Sequence, residues 1–134
     1  MQMYEQWGLS FDDRMPIYRQ IILRFNRAFV RGDIQPGDRI PSIRELSALL
    51  RVNTNTIQRV YQEMERDGVI GSKRGTGYYF TEDKEMTEKM RKELTSESVQ
   101  RFVDEMCALG LKKTEILSEL EIYLKGVDGS ESNS

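Results

Sequence analysis

Histidine is absent from this 134-residue chain, and cysteine occurs once, at Cys107. The first absence removes the commonest general base and the commonest metal ligand. Together the two exclude a zinc site of the usual Cys/His kind, and no metal is expected. Nor is a cofactor expected. A single cysteine cannot close an internal disulfide, which fits a reducing, cytoplasmic setting. No apolar run approaches the roughly 20 residues that a membrane-spanning helix needs, so no membrane partner is expected. Residues 1–10 carry Glu5 and no basic cluster ahead of an apolar stretch, and do not read as a signal peptide. There is no internal repeat, and no catalytic constellation can be assembled. The chain is not expected to be an enzyme.

What is present suits a soluble globular protein: 38% of the residues are hydrophobic and 31% charged. The net charge of −2 is unevenly spread. Residues 1–80 hold 12 Lys/Arg against 9 Asp/Glu, and residues 81–134 hold 8 against 13. A mildly basic front half and an acidic second half suit a DNA-reading module joined to a separate association module.

The front half is punctuated clearly. Residues 1–15 form an arm in which Trp7, Leu9 and Phe11 alternate as in a strand. Pro16 begins a helix, where its missing N–H costs nothing. Ile17, Ile21, Phe25 and Phe29 follow at intervals of four, Gly32 ends the helix, and Pro36-Gly37 makes a turn. Ser42 and Glu45 match a capping box that opens a second helix through Leu50. After the turn Arg51-Val52-Asn53, Asn53 caps a third helix to about Asp67, with Ile57, Val60, Tyr61 and Met64 on its buried face and Gly68 just past its end. Val69-Ile70-Gly71-Ser72 and Tyr78-Tyr79-Phe80-Thr81 read as two strands around the basic turn 73–77. Tyr78, Tyr79 and Phe80 are read as strand packing rather than as a base-stacking platform.

From Thr81 the pattern turns wholly helical. Thr81 is expected to cap a helix carrying Met86, Met90 and Leu94, with Glu82 and Asp83 in its first turn. Ser96 is expected to start a second, carrying Val99, Phe102, Val103 and Met106 and broken at Gly110. A last helix carries Ile116, Leu117, Leu120, Tyr123 and Leu124. Cys107, beside Met106, reads as buried filler rather than a redox switch. The expected fold is thus mainly α with a small β-hairpin: a winged helix-turn-helix followed by a short helical dimerisation segment. Its parts are an arm and DNA-binding domain over 1–81, a helical dimerisation region over 82–125, and a disordered tail over 126–134.

The chemistry lies on what faces away from the core. Opposite the apolar side of the third helix stand Asn55, Gln58, Arg59, Gln62 and Arg66, with Thr54 at its start. Asn and Gln pair bidentately with adenine, and Arg with guanine. The N-terminal residues of such a helix reach base edges. Thr54, Asn55 and Gln58 are therefore the expected base readers, with Arg59 on a base or a phosphate. Arg44 is expected at a phosphate or the groove edge. Lys73 and Arg74, at the tip of the wing, suit a minor groove or phosphate, and Gly75 lets the backbone come close.

These residues resemble a known family. Pro16-Ile17-Tyr18-Arg19-Gln20-Ile21 is similar to the opening helix of GntR-family regulators. So are the run Gly32 to Leu46, the third helix from Val52 to Glu65, and the wing from Gly68 to Gly77. The resemblance covers about half the chain. It implies a winged-helix domain, dimeric operator binding, and DNA contacts at Arg44, at Asn53, Thr54 and Asn55, at Gln58, and at Arg74, Gly75 and Thr76. Most GntR regulators carry a large effector domain after the wing. The short helical remainder here looks like that of the YtrA subfamily, in which it serves dimerisation, and the segment 102–124 with its Leu-Gly-Leu break supports this. Relatives often repress operons that include ABC transporters. Two positions depart from the pattern: Gln58 stands where many members have Arg, and Lys112 where a helix-capping Ser is common. The chain is too short for the aminotransferase-like domain of the MocR branch, so no pyridoxal phosphate is expected.

The leading expectation is a dimeric repressor of an inverted-repeat DNA operator, with Met90, Leu94, Val99, Phe102, Val103, Met106, Ile116, Leu117, Leu120, Tyr123 and Leu124 in the dimer core. Two alternatives remain at this point. One is a small-molecule effector held among Met86, Met90, Phe102, Met106 and Tyr123. The other is a winged helix used only for protein contacts.

Overall fold

A computed structural model of the chain describes residues 2–8 and 11–130. Its elements in order are α1 (Gln2–Trp7), α2 (Ile17–Arg31), α3 (Ile43–Leu50), α4 (Thr54–Arg66), β1 (Ile70–Lys73), β2 (Gly77–Phe80), α5 (Lys84–Ala108) and α6 (Lys113–Ser130). The chain divides into two compact units, Met1–Lys92 and Glu93–Ser134. Among the described residues no helix is long and apolar enough to cross a membrane.

The first unit is built around Phe25. The stripe on α2 buries Ile21, Phe25 and Phe29, while Ile17, in its first turn, remains 41% exposed. Phe25 meets Trp7 edge-on at 4.9 Å between ring centroids, and Tyr4, Tyr61 and Phe80 at 5.9 to 6.1 Å. Phe29 continues the cluster onto Phe80 at 4.6 Å. Such rings bury large apolar areas and prefer these tilted and edge-to-face arrangements. The arm differs from its strand-like reading, with Trp7 closing the helix α1 and Leu9 lying outside the described residues. Tyr4 and Trp7 stand three apart, on one face of a helix, and both are buried. The chain after the arm is clipped to α2 by the buried Gln20, whose Nε2 donates to the carbonyls of Asp12 at 2.8 Å and Met15 at 2.6 Å while its Oε1 accepts from the Asp12 N–H.

Local signals place the remaining elements of this unit. Gly32 ends α2 at φ 97°, a left-handed conformation that costs glycine little. Ser42 and Glu45 form the reciprocal capping box of α3. α3 ends on Arg51 at φ 56°, the only non-glycine residue with positive φ among those described. There the backbone turns into α4, whose cap is Asn53, its Oδ1 accepting from the Asn55 N–H at 2.7 Å. Tyr61 locks α4 to the segment before α3 by donating to the buried Pro41 carbonyl at 2.6 Å. Burial pushes its phenol well above the ordinary range, and Tyr4, Glu45 and Tyr78 add to the rise.

The hairpin pairs Ile70 with Phe80, Gly71 with Tyr79, Ser72 with Tyr78 and Lys73 with Gly77. A third segment joins it that the sequence reading treated only as a turn. Gly37 donates to the Phe80 carbonyl, Phe80 to that of Asp38, and Ile40 to that of Tyr78, all at 2.9 to 3.0 Å. Residues 37–40 thus cover the outer edge of β2.

α5 departs from its sequence reading. One helix runs from Lys84 to Ala108 where two were expected. Met86 and Met90 lie on one side of it; Val99, Phe102, Val103 and Met106 lie on the other. Val99 follows Met90 by nine positions, about two and a half turns at 3.6 residues per turn, which reverses the apolar face. That change of phase looks like a break, but no Gly or Pro interrupts the backbone. The cap also differs. Thr81 accepts from the Asp83 N–H, and Asp83 in turn accepts from that of Glu85 at 3.0 Å, so the helix starts at Lys84.

In the second unit Gly110, at φ 88°, separates α5 from α6, and the Leu111 N–H returns to the Met106 carbonyl. Cys107, read as buried filler, is exposed. α6 continues to Ser130, so residues 126–130 are helical rather than tail. Gly126 takes no left-handed conformation and costs the helix only conformational entropy. The rest of the expected tail, 131–134, lies outside the described residues.

Candidate nucleic-acid interface

α3, the turn 51–53 and α4 carry Arg44, Asn53, Thr54, Asn55, Gln58 and Arg59, and all six are exposed. α4 buries Ile57, Val60, Tyr61 and Met64, and its opposite face is polar and exposed. Thr54 and Asn55 occupy the first turn of α4 and Gln58 and Arg59 the second, all exposed. Arg44 is exposed in the first turn of α3. A helix of this kind fits a major groove, where amide and guanidinium groups distinguish base pairs. Asn53 is partly committed, since its side-chain oxygen caps α4.

The wing is held close to this helix. Ser72 on β1 donates to Glu65 of α4 at 3.1 Å. Lys73, Arg74, Gly75 and Thr76 are all exposed at the hairpin tip. Gly75 takes φ 76° there, and a side chain built on it would meet nothing within 4 Å. The turn is closed by the Thr76 N–H, which donates to the Lys73 carbonyl at 2.9 Å; the Thr76 hydroxyl donates to the same oxygen at 3.0 Å. The Thr76 side chain therefore serves the turn. Lys73 places its Nζ 4.5 Å from the centre of the Tyr79 ring, an attraction that leaves its charge outward.

Three features of this surface escaped the sequence reading. Arg39, in the segment along β2, lies over Gly77, where a Cβ would come within 3.1 Å of its Nε. Glu45, in the capping box, is held below the ordinary carboxylate range by the Ser42 backbone N–H first and the Ser42 hydroxyl second, with a smaller contribution from Arg39. Arg59 is engaged twice within the protein, by Glu63 at 3.0 Å and by the Tyr18 ring, whose centre is 3.7 Å from Cζ. The Arg59–Glu63 spacing of four was legible as a helical pair. The Tyr18 contact crosses 41 residues of sequence and had no local signal.

The residues expected at a dimer core divide between the units. Met90 is buried in the first unit by the chain itself. Near it, Arg91 donates to the Val30 carbonyl at 2.9 Å, and Met86 packs beside Gly68. Leu94, Phe102, Val103 and Met106 are half-buried and Ile116 is buried, while Val99, Leu117, Leu120, Tyr123 and Leu124 are exposed. Leu109 and Ile122, not singled out from sequence, are exposed as well.

Comparison with known proteins gives a consistent answer. The family described as bacterial regulatory proteins, gntR family, matches residues 17–80. The uncharacterized HTH-type transcriptional regulator YhcF of Bacillus subtilis (strain 168) is 40% identical over 117 residues, covering 87% of this chain and 97% of that protein. The HTH-type transcriptional repressor YtrA of the same organism is 42% identical over 72 residues, covering 54% of this chain and 55% of that protein. Among solved structures, a GntR family transcriptional regulator from Listeria monocytogenes superposes with a TM-score of 0.77 at 40% identity, covering 83% of this chain and 97% of that one. With the helix-turn-helix, the basic wing and these relatives in agreement, the chain belongs to the GntR family of bacterial regulatory proteins: it is a transcriptional regulator, and its winged helix is the DNA-binding domain.

Proposed function

We propose that this regulator is a dimeric repressor of the YtrA subfamily that binds an inverted-repeat operator. The carrying observation is the apolar surface that α5 and α6 leave uncovered in the single chain: Val99 is 55% exposed, Leu117 53%, Tyr123 68% and Leu124 48%. Ile116 is the one buried apolar side chain among described residues 93–130, too small a core for a helical pair to stand alone. A second copy supplies the cover. The interface then takes Val99, Phe102, Val103, Met106, Ile116, Leu117, Leu120, Tyr123 and Leu124, with Leu94 at its edge. Met90, already buried by its own chain, is left out. A two-fold dimer presents two α4 helices to half-sites about one turn of DNA apart. The name of the YtrA relative supports repression rather than activation.

In this reading Asn53, Thr54, Asn55 and Gln58 meet base edges or the adjacent backbone, and Arg44 holds a phosphate. Lys73 and Arg74 enter the flanking groove, with Gly75 and Thr76 shaping the tip. The test is binding of the purified protein to the DNA upstream of its own gene, over a salt series, beside Arg44→Ala and Arg74→Ala. Tight binding that falls with salt and is weakened by both substitutions is expected. A monomer in light scattering at micromolar concentration, or affinity no greater than for random DNA, would overturn the proposal.

A further inference from the structure

Arg59 is the most tightly organised cation on the exposed face of α4. Its guanidinium carbon lies 3.7 Å from the centre of the Tyr18 ring, and its Nε donates to Glu63 at 3.0 Å. Glu63 is itself shared, with Arg66 at 3.6 Å, and Arg66 reaches Asp67 at 3.5 Å. The Arg59 side chain nevertheless stays 58% exposed. One face of its guanidinium is spent on the ring and its Nε on the carboxylate. The two terminal amino groups take part in neither contact, and such a planar fork fits paired oxygens.

We propose that Tyr18 is a positioning residue that, with Glu63, sets Arg59 to grip a backbone phosphate of the DNA; this rests on the DNA-binding reading above. A free arginine loses much rotamer freedom when it binds, and a side chain already held in place loses less. An aromatic ring is a suitable holder because it restrains the cation without consuming its N–H donors. The location favours phosphate over base. Base edges are reached from the N-terminal turn of such a helix, where Thr54 and Asn55 lie. Arg59 follows in the next turn, drawn aside toward α2, the helix that carries Tyr18.

The test uses the full chain and five proteins: wild type, Tyr18→Phe, Tyr18→Leu, Arg59→Ala, and the double variant Tyr18→Leu/Arg59→Ala. Each is titrated with its upstream DNA and with a random duplex across a salt series, after thermal melting has confirmed the fold. Arg59→Ala is expected to weaken binding to both duplexes by the same factor, about tenfold, and to lower the salt slope by about one. Tyr18→Leu is expected to cost about threefold alone and nothing further when Arg59 is already Ala. Tyr18→Phe keeps the ring and should bind like wild type. Without DNA, the Arg59 side-chain resonances should lose their ring-current displacement in Tyr18→Leu.

Equal losses from Tyr18→Leu in both backgrounds would overturn the role of Tyr18. So would a Tyr18→Phe variant as weak as Tyr18→Leu, which would put the hydroxyl itself on the phosphate. A loss confined to the upstream DNA would move Arg59 to a base and overturn the phosphate assignment. These results leave the DNA reading standing as long as Arg74→Ala still weakens binding. A wild type that binds neither duplex would remove the DNA reading and this proposal with it.

Discussion

The two units of this chain use apolar residues in opposite ways. In the described part of Met1–Lys92 the large side chains close on one another around Phe25, and Met15 and Ile17 are the large apolar residues left exposed. In the described part of Glu93–Ser134, Ile116 alone is buried, and Val99, Leu109, Leu117, Leu120, Ile122, Tyr123 and Leu124 remain exposed. Five helices or helix segments and a hairpin enclose a core that one chain can complete. Two helices can cover only one face of each other, and the apolar surface they leave is what the proposed dimer would cover.

The contrast can be broken most forcefully at its centre. Phe25→Ala removes the ring that contacts Trp7, Tyr4, Tyr61 and Phe80, and should cost about 3–5 kcal/mol in denaturant unfolding. A loss under 1 kcal/mol would mean that the aromatic cluster does not hold the first unit together. On the other side, Leu117→Ser with Leu124→Ser should turn the proposed dimer into a monomer in light scattering. It should also remove any dependence of Tm on protein concentration. A variant that stays dimeric would show that the contact lies elsewhere.

Smaller changes sharpen the same comparison. Tyr61→Phe leaves the buried Pro41 carbonyl without its hydroxyl donor, and should cost about 1–3 kcal/mol by chemical denaturation. The helix caps give the finest test. Ser42→Ala should destabilise by about 1 kcal/mol. It should also change the acid limb of the stability curve. The capping box holds the Glu45 carboxyl below its ordinary value, so its stabilisation is present above the unfolded-state pKa and fades as pH falls through the lowered folded value. In Ser42→Ala that part of the pH dependence should shrink but persist, because the backbone N–H of residue 42, the larger cause, still donates to Glu45. At the start of α6 half of the same device is in place: the Lys112 N–H donates to Glu115 at 2.9 Å, but Lys112 offers no side-chain acceptor. Lys112→Ser should complete the box and raise Tm, with a gain of about 0.5–1 kcal/mol. No gain there would mean that the start of α6 is already held by other contacts.

Much of the first unit was legible because its signals are local. Ser42-x-x-Glu45, Asn53, Gly32 and the glycine-bearing turn at 73–77 act within one turn of helix or one hairpin, so neighbours in sequence suffice to read them. The apolar spacing on α4 is enough to assign its buried face, and hence its exposed one. Reading failed where a pattern had more than one cause. The phase shift along α5 resembled a helix break, Gly126 resembled a helix end, and Trp7 in the arm matched a strand as readily as a helix face. It also failed where contacts span long separations. Residues 37–40 pair with β2 because their N–H and C=O groups meet partners some 40 positions away.

Between residues 16 and 80 the sequence by itself therefore determined the kinds of element, their order, the caps that bound them and the residue types offered to DNA, since each depends on backbone chemistry within a few residues. Tertiary structure decided how those residues are used. It spent Met90 inside the first unit, exposed Cys107, laid Arg39 across Gly77 and brought Tyr18 under Arg59. Those outcomes depend on which surfaces meet when the helices pack, and no short stretch of sequence carries that information.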